Sequence, residues 1–169
     1  GLEQRMTPCL VPADSPLGQL QGGTNMVVLE GDSVGQIVLR GPGAGEGPTA
    51  SAVMADVCDI ARGWRGPVFG RPAATLSTAM PVLSRLAAPY YLRMALEDKP
   101  GALAKIAKVL GEAGVSIDRM RQYGHESSSA PVLIVTHKTP RADLDVALAA
   151  METTGVLSSA PVALRIEEV

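Results

Sequence analysis

Between residues 89 and 169 the spacing of apolar side chains switches between a period of two and a period of three to four, and the order of the switches leaves few folds open. "YYLRMALED" alternates, with Leu92, Met94 and Leu96 on one face, and predicts a strand with one buried side. "PGALAKIAKVLGEAG" carries Leu103, Ile106, Ala107, Leu110 and Ala113 at helical spacing, with Pro100 suited to the first turn and Gly114 to the C-terminal cap. "VSIDRMRQYG" and "APVLIVTHK" read as two further strands around the polar loop "HESSS". "RADLDVALAAMETT" returns to the helical period through Leu144, Leu148 and Met151, and "PVALRIEEV" alternates again through Val162, Leu164 and Ile166. The order is βαββαβ, the split-βαβ, ferredoxin-like plan of the α+β class: a four-stranded antiparallel sheet with both helices on one face.

The earlier part is organised differently. "TNMVVLE" and "VGQIVLR", joined at "GDS", have the composition of a strand hairpin. Four glycines at alternate positions follow (Gly41, Gly43, Gly45, Gly47), and Pro48 or Thr49 is expected to open a helix whose apolar positions are Val53, Met54, Val57, Ile60 and Ala61, ended by Gly63. From 63 to 88 glycine and proline recur without a period, so a linker or arm is expected there. The resulting division is 1–72, a linker at 73–88, and 89–169.

Composition narrows the function classes. With 46% hydrophobic and 19% charged residues the 169-residue chain is expected to be globular and soluble, and no apolar run reaches the roughly 18 residues of a membrane span. A net charge of −2, spread evenly, offers no basic face to nucleic acid. Cys9 and Cys58 lack metal-ligand spacing and no leader precedes them, which fits a cytoplasmic protein without a metal site. The opening residues read as mid-domain sequence, as if the chain were part of something longer.

Two places could carry chemistry. The glycine stretch "LRGPGAGEGPTASAV" fails the dinucleotide fingerprint, because the sixth position is Pro48 counting from Gly43 and Glu46 counting from Gly41. It also fails the phosphate-loop pattern, since no lysine precedes Lys99. Such glycines still allow a backbone to approach a ligand, and the helix start presents N–H groups; the plainer reading is a tight strand-to-helix connection. The second place is "LEDKPGAL". There Asp98 and the N–H groups of Gly101 and Ala102 could hold a zwitterion, or Asp98 could simply cap the helix. His125 and His137 have no partners at metal spacing, no hydrolytic triad or carboxylate pair stands out, and Trp64 and Phe69 are assigned to packing.

At these residues a resemblance enters. "LVPADSPL", "GGTNMVVLEGDSVG" and above all "GPGAGEGPTASAVMADVCDIARG" resemble the end of the catalytic domain of homoserine dehydrogenase, and 89–169, through "DKPGALAKIAKVLGEAGVSI", resembles the ACT domain appended to long forms of that enzyme. The resemblance implies an NAD(P)-dependent oxidoreductase interconverting L-aspartate 4-semialdehyde and L-homoserine, on the route to threonine, isoleucine and methionine. It also implies that this chain lacks the cofactor domain and the catalytic lysine segment, contains no catalytic residue and is inactive alone. Cofactor or substrate-proximal contacts carry over to Gly43, Ala44, Gly45 and Glu46, where Glu46 departs from a usual small residue and disfavours close phosphate approach. ACT domains pair side by side and hold an amino acid between copies. Carried over, Asp98, Pro100, Gly101 and Ala102 form one wall and Val115, Ser116 and Ile117 of a second copy the other, with L-threonine as the first candidate effector and a homodimer or tetramer as the assembly. The rival expectations are an ACT module that assembles without a ligand, and a free-standing amino-acid sensor.

Overall fold

A computed structural model describes residues 3–67, 69–80, 86–124 and 129–168. The chain divides into two compact units, one of residues 1–11 with 80–168 and the other of 12–79.

In the first unit the alternating segments become strands β4 (Tyr90–Glu97), β5 (Ile117–Gln122), β6 (Ser129–Thr136) and β7 (Val162–Ile166), and the helical segments become α2 (Ala102–Glu112) and α3 (Arg141–Glu152). β1 and α1 lie earlier in the chain. The period of two does its work on β4 and β6, where every second residue is buried. Tyr90, Leu92, Met94 and Leu96 face Ile106 and Leu110 of α2 and Leu144 and Met151 of α3, with Val132 and Ile134 of β6 completing the core. α2 ends in a Schellman cap: Gly114 takes φ 74°, its N–H donates to Gly111 O at 3.0 Å, and Val115 N donates to Leu110 O at 2.8 Å.

β4 pairs antiparallel with both β6 and β7, and β5 pairs antiparallel with β6 across a register shift between Ile117 and Arg119. The sheet is one strand wider than the four the sequence pattern suggested. β1 (Cys9–Leu10) adds to β7 in parallel, Cys9 opposite Arg165 and Leu10 opposite Ile166, giving the order β1-β7-β4-β6-β5. Glu167 N donates to Leu10 O at 2.9 Å and fastens it. Two residues flanked by prolines are too short to show a period, so "TPCLVP" carried no strand signal.

The second unit holds the expected hairpin, β2 (Thr24–Gly31) and β3 (Gly35–Pro42), paired antiparallel from Thr24 opposite Pro42 to Gly31 opposite Gly35. Gly35 closes the three-residue loop at φ 71°. α1 (Glu46–Ala61) begins two residues before the expected Pro48. Pro48 is tolerated inside the first turn because its missing N–H would have had no acceptor within the helix. α1 ends in a second Schellman cap around Gly63 at φ 80°, with Trp64 N donating to Asp59 O at 3.0 Å. None of its residues is buried. Trp64 and Phe69, expected to pack, are exposed at 65% and 72%. Between α1 and β4 the described residues form turns, a 3-10 turn at Ala73–Thr75 and an isolated bridge from Ala88 to Thr139.

Candidate functional site

The candidate effector site begins where β4 hands over to α2. Lys99 N donates to Glu97 O at 2.8 Å and Ala102 N to Lys99 O at 3.2 Å, so the chain reverses within four residues. Gly101 is the N-cap residue of α2 at φ 86°, a left-handed conformation that L side chains adopt only with strain. The alternative reading, in which Asp98 caps the helix, is not met: no side chain caps α2, and among the described residues Asp98 has no hydrogen-bond or ion-pair partner. Asp98, Pro100 and Gly101 are exposed, whereas the Ala102 side chain is buried, leaving that residue only its backbone for a ligand. A helix start leaves N–H groups unpaired and carries a partial positive charge, which suits a carboxylate, and the free Asp98 carboxylate beside it suits an ammonium group.

The other wall lies at the far end of α2. Val115 is buried in the core, Ser116 is exposed and accepts from His137 N at 2.9 Å, and Ile117 opens β5 half-buried. α2 has 11 residues, about 16 Å of rise, between the two walls. One copy therefore does not bring them together.

β5 is one of the two edge strands of the sheet, and among the described residues no strand pairs with its outer side. Glu97 stands opposite Ser129 at the sheet end where β5 finishes at Gln122. A second β5 running antiparallel along this edge would bring its own Ile117 to that end, beside Asp98–Ala102 of the first copy.

In the second unit Gly43, Ala44 and Gly45 connect β3 to α1, and Glu46 is the first residue of the helix. Gly45 is the N-cap residue at φ 124°, and Thr49 N donates to Gly45 O at 3.1 Å. A Cβ on Gly43 would fall 1.8 Å from Asn25 Nδ2, so the loop closes tightly on the hairpin. Its N–H groups suit a polar ligand, but the Glu46 carboxylate opposes a phosphate at this helix start.

His125 lies outside the described residues, and His137 is exposed just beyond β6. No group of three His, Cys, Asp or Glu side chains that could hold a metal occurs among the described residues, and Cys9 and Cys58 are both free and exposed. No described helix is long and apolar enough to cross a membrane.

The fold is that of a ferredoxin-like α+β unit, accompanied in the chain by a hairpin-and-helix segment. Residues 90–155 match the family model of the ACT domain, and residues 2–58 match that of homoserine dehydrogenase. The chain corresponds to the C-terminal part of homoserine dehydrogenases and carries an ACT domain. It is 33% identical to the homoserine dehydrogenase of Pseudomonas aeruginosa over 99% of its length and 41% of that protein's, and 34% identical to that of Neisseria gonorrhoeae over 99% and 40%. The crystal structure of a homoserine dehydrogenase from Thiobacillus denitrificans superposes with a TM-score of 0.80 at 29% identity, covering 95% of this chain and 38% of that one. A Staphylococcus aureus homoserine dehydrogenase shares the fold at a TM-score of 0.52 and 18% identity. The chain thus spans about two-fifths of the length of the curated relatives it matches.

Proposed function

We propose that the chain is the regulatory C-terminal portion of a homoserine dehydrogenase, in which the ACT unit binds L-threonine between two copies and restrains the reduction of L-aspartate 4-semialdehyde by NAD(P)H. The observation that carries the reading is the convergence, at one end of the sheet, of an unpartnered Asp98, the left-handed Gly101 at the start of α2, and the free edge of β5. The threonine carboxylate would take the α2 N–H groups, its ammonium Asp98, and its side chain the backbone of Val115–Ile117 from the second copy. Gly43, Ala44 and Gly45 would approach the cofactor or substrate through backbone groups. Glu46 argues that they meet a neutral part, such as an amide or hydroxyl, and not a phosphate. The cofactor, when bound, supplies or accepts the hydride; the residues doing the chemistry would lie outside this chain, which is inactive alone.

Calorimetric titration with L-threonine, using L-isoleucine, L-lysine and L-methionine as controls, tests the reading. Selective threonine binding that is lost in Gly101→Val, with the dimer retained by light scattering, supports it. Unchanged affinity in Gly101→Val rules out this pocket, and no binding by any of the four leaves ACT pairing as assembly alone.

A further inference from the structure

A second pocket lies on the opposite side of the sheet from β5, where β1 joins β7. It is a cavity of about 250 Å3 whose lining includes Glu3, Arg5, Thr7, Cys9, Arg165 and Glu167. Arg5 Nε pairs with Glu3 Oε1 at 3.1 Å, and Arg165 Nε pairs with Glu167 Oε1, so two guanidinium–carboxylate pairs face one space. The Glu3 and Arg165 side chains are each only 17% exposed, which keeps water from screening their charges fully. Burial works against the Arg165 charge, but the hydrogen bond and charge of Glu167, with smaller contributions from Tyr90 and Glu3, outweigh it, and the guanidinium is held above its ordinary pKa. Tyr90, the cross-strand partner of Arg165, carries a buried hydroxyl with no hydrogen-bond partner among the described residues.

We infer that this cavity is a binding site for a small zwitterion, a free α-amino acid, whose carboxylate is received by Arg5 and Arg165 and whose ammonium is received by Glu3 and Glu167. The four charges sum to zero, so the chemistry of the lining selects against simpler ions: an anion meets two carboxylates and a cation two guanidinium groups. The site is separate from the loop at Asp98–Ala102. Its charged residues fall in the stretch matched by the homoserine dehydrogenase model and beyond the end of the ACT match at residue 155, so a ligand here would clasp β1 to the ACT sheet.

Cys9 provides the readout, since its thiol is exposed at the cavity beside Thr7, with Sγ 3.5 Å from Thr7 O. The experiment is the rate of Cys9 alkylation by iodoacetamide in the full chain carrying Cys58→Ser, with each proteinogenic amino acid other than cysteine, whose own thiol would consume the reagent, and with propionate and ethylamine as probes. The expected result is that at least one amino acid slows alkylation several-fold, propionate and ethylamine do not, and the protection is lost in Arg5→Gln and in Glu3→Gln but kept in Gly101→Val. Absence of protection by every amino acid overturns the proposal, as does equal protection by propionate or ethylamine, or protection that survives both Arg5→Gln and Glu3→Gln. Protection abolished by Gly101→Val also overturns it, because the effect would then originate at the loop site; failure of threonine to bind at that loop leaves this outcome untouched.

Discussion

The backbone N–H of Tyr90 donates to the hydroxyl of Thr136 at 3.0 Å, and both residues are buried. A side chain thus supplies the acceptor where the ladder between β4 and β6 ends. Thr136→Val keeps the shape and removes that acceptor, leaving an N–H unsatisfied in the core, so it should cost about 1–3 kcal/mol. Thr136→Ser should recover most of the loss. Urea unfolding of the three proteins would measure both, and equal stability of the valine variant would show that the bond contributes nothing net.

Gly111 and Gly114 lie three residues apart and should respond to alanine with opposite sign. Gly111 is inside α2, and a Cβ there meets nothing within 4 Å, so Gly111→Ala should stabilise by about 0.5–1 kcal/mol. Gly114 holds φ 74° in the cap, so Gly114→Ala should destabilise by about 1–2 kcal/mol. Thermal melts of the two variants decide it, and shifts of the same sign would contradict the cap geometry.

Ile106 and Leu144 come from different helices and are both fully buried on the sheet. Truncating either to alanine removes buried methyl and methylene groups and leaves a cavity, with an expected loss of about 2–5 kcal/mol. By contrast, Val146 on the outer face of α3 is 62% exposed, and Val146→Ala should change stability by less than about 0.5 kcal/mol.

The two units should differ in protection. α1 buries none of its residues, and Val53, Met54, Val57 and Ile60 are exposed, whereas α2 buries Ala102, Ile106 and Leu110. Without an apolar face packed away, a helix draws little stability from tertiary structure. Amide exchange followed by mass spectrometry should find α1 exchanging well before α2 and α3. Comparable protection in α1 would mean that its apolar face is covered in solution.

Much of this architecture could be read from the sequence because the forces that set it act locally. Alternation along "YYLRMALED" placed Leu92, Met94 and Leu96 in the core, and Gly114 announced the end of α2, since a left-handed cap has few other occupants. The strand at Cys9–Leu10 was hidden, because its pairing with Arg165 and Ile166 is a property of distant residues and a two-residue strand has no period. Trp64 and Phe69 were assigned to packing for want of a catalytic arrangement around them, yet among the described residues of their unit no apolar residue is fully buried. At the candidate site, the handover at Asp98–Ala102 was visible as a change of period. That Val115 and Ala102 turn their side chains into the core was not, because it depends on which face of the sheet α2 covers. The charged cavity left no trace in the sequence, since Glu3 and Arg5 meet Arg165 and Glu167 only through the fold.

The parallel pairing of Cys9–Leu10 with Arg165–Ile166 bears on how the protein can be dissected. An ACT fragment cut upstream of Tyr90 would lose β1 and bare the outer backbone of β7, creating a sticky flank that invites stacking into fibres or adoption of a stray peptide. The same vacancy is an opportunity. A synthetic peptide spanning residues 3–11 could be donated in trans to cap it, turning the first few residues of the chain into a removable splint for the regulatory sheet.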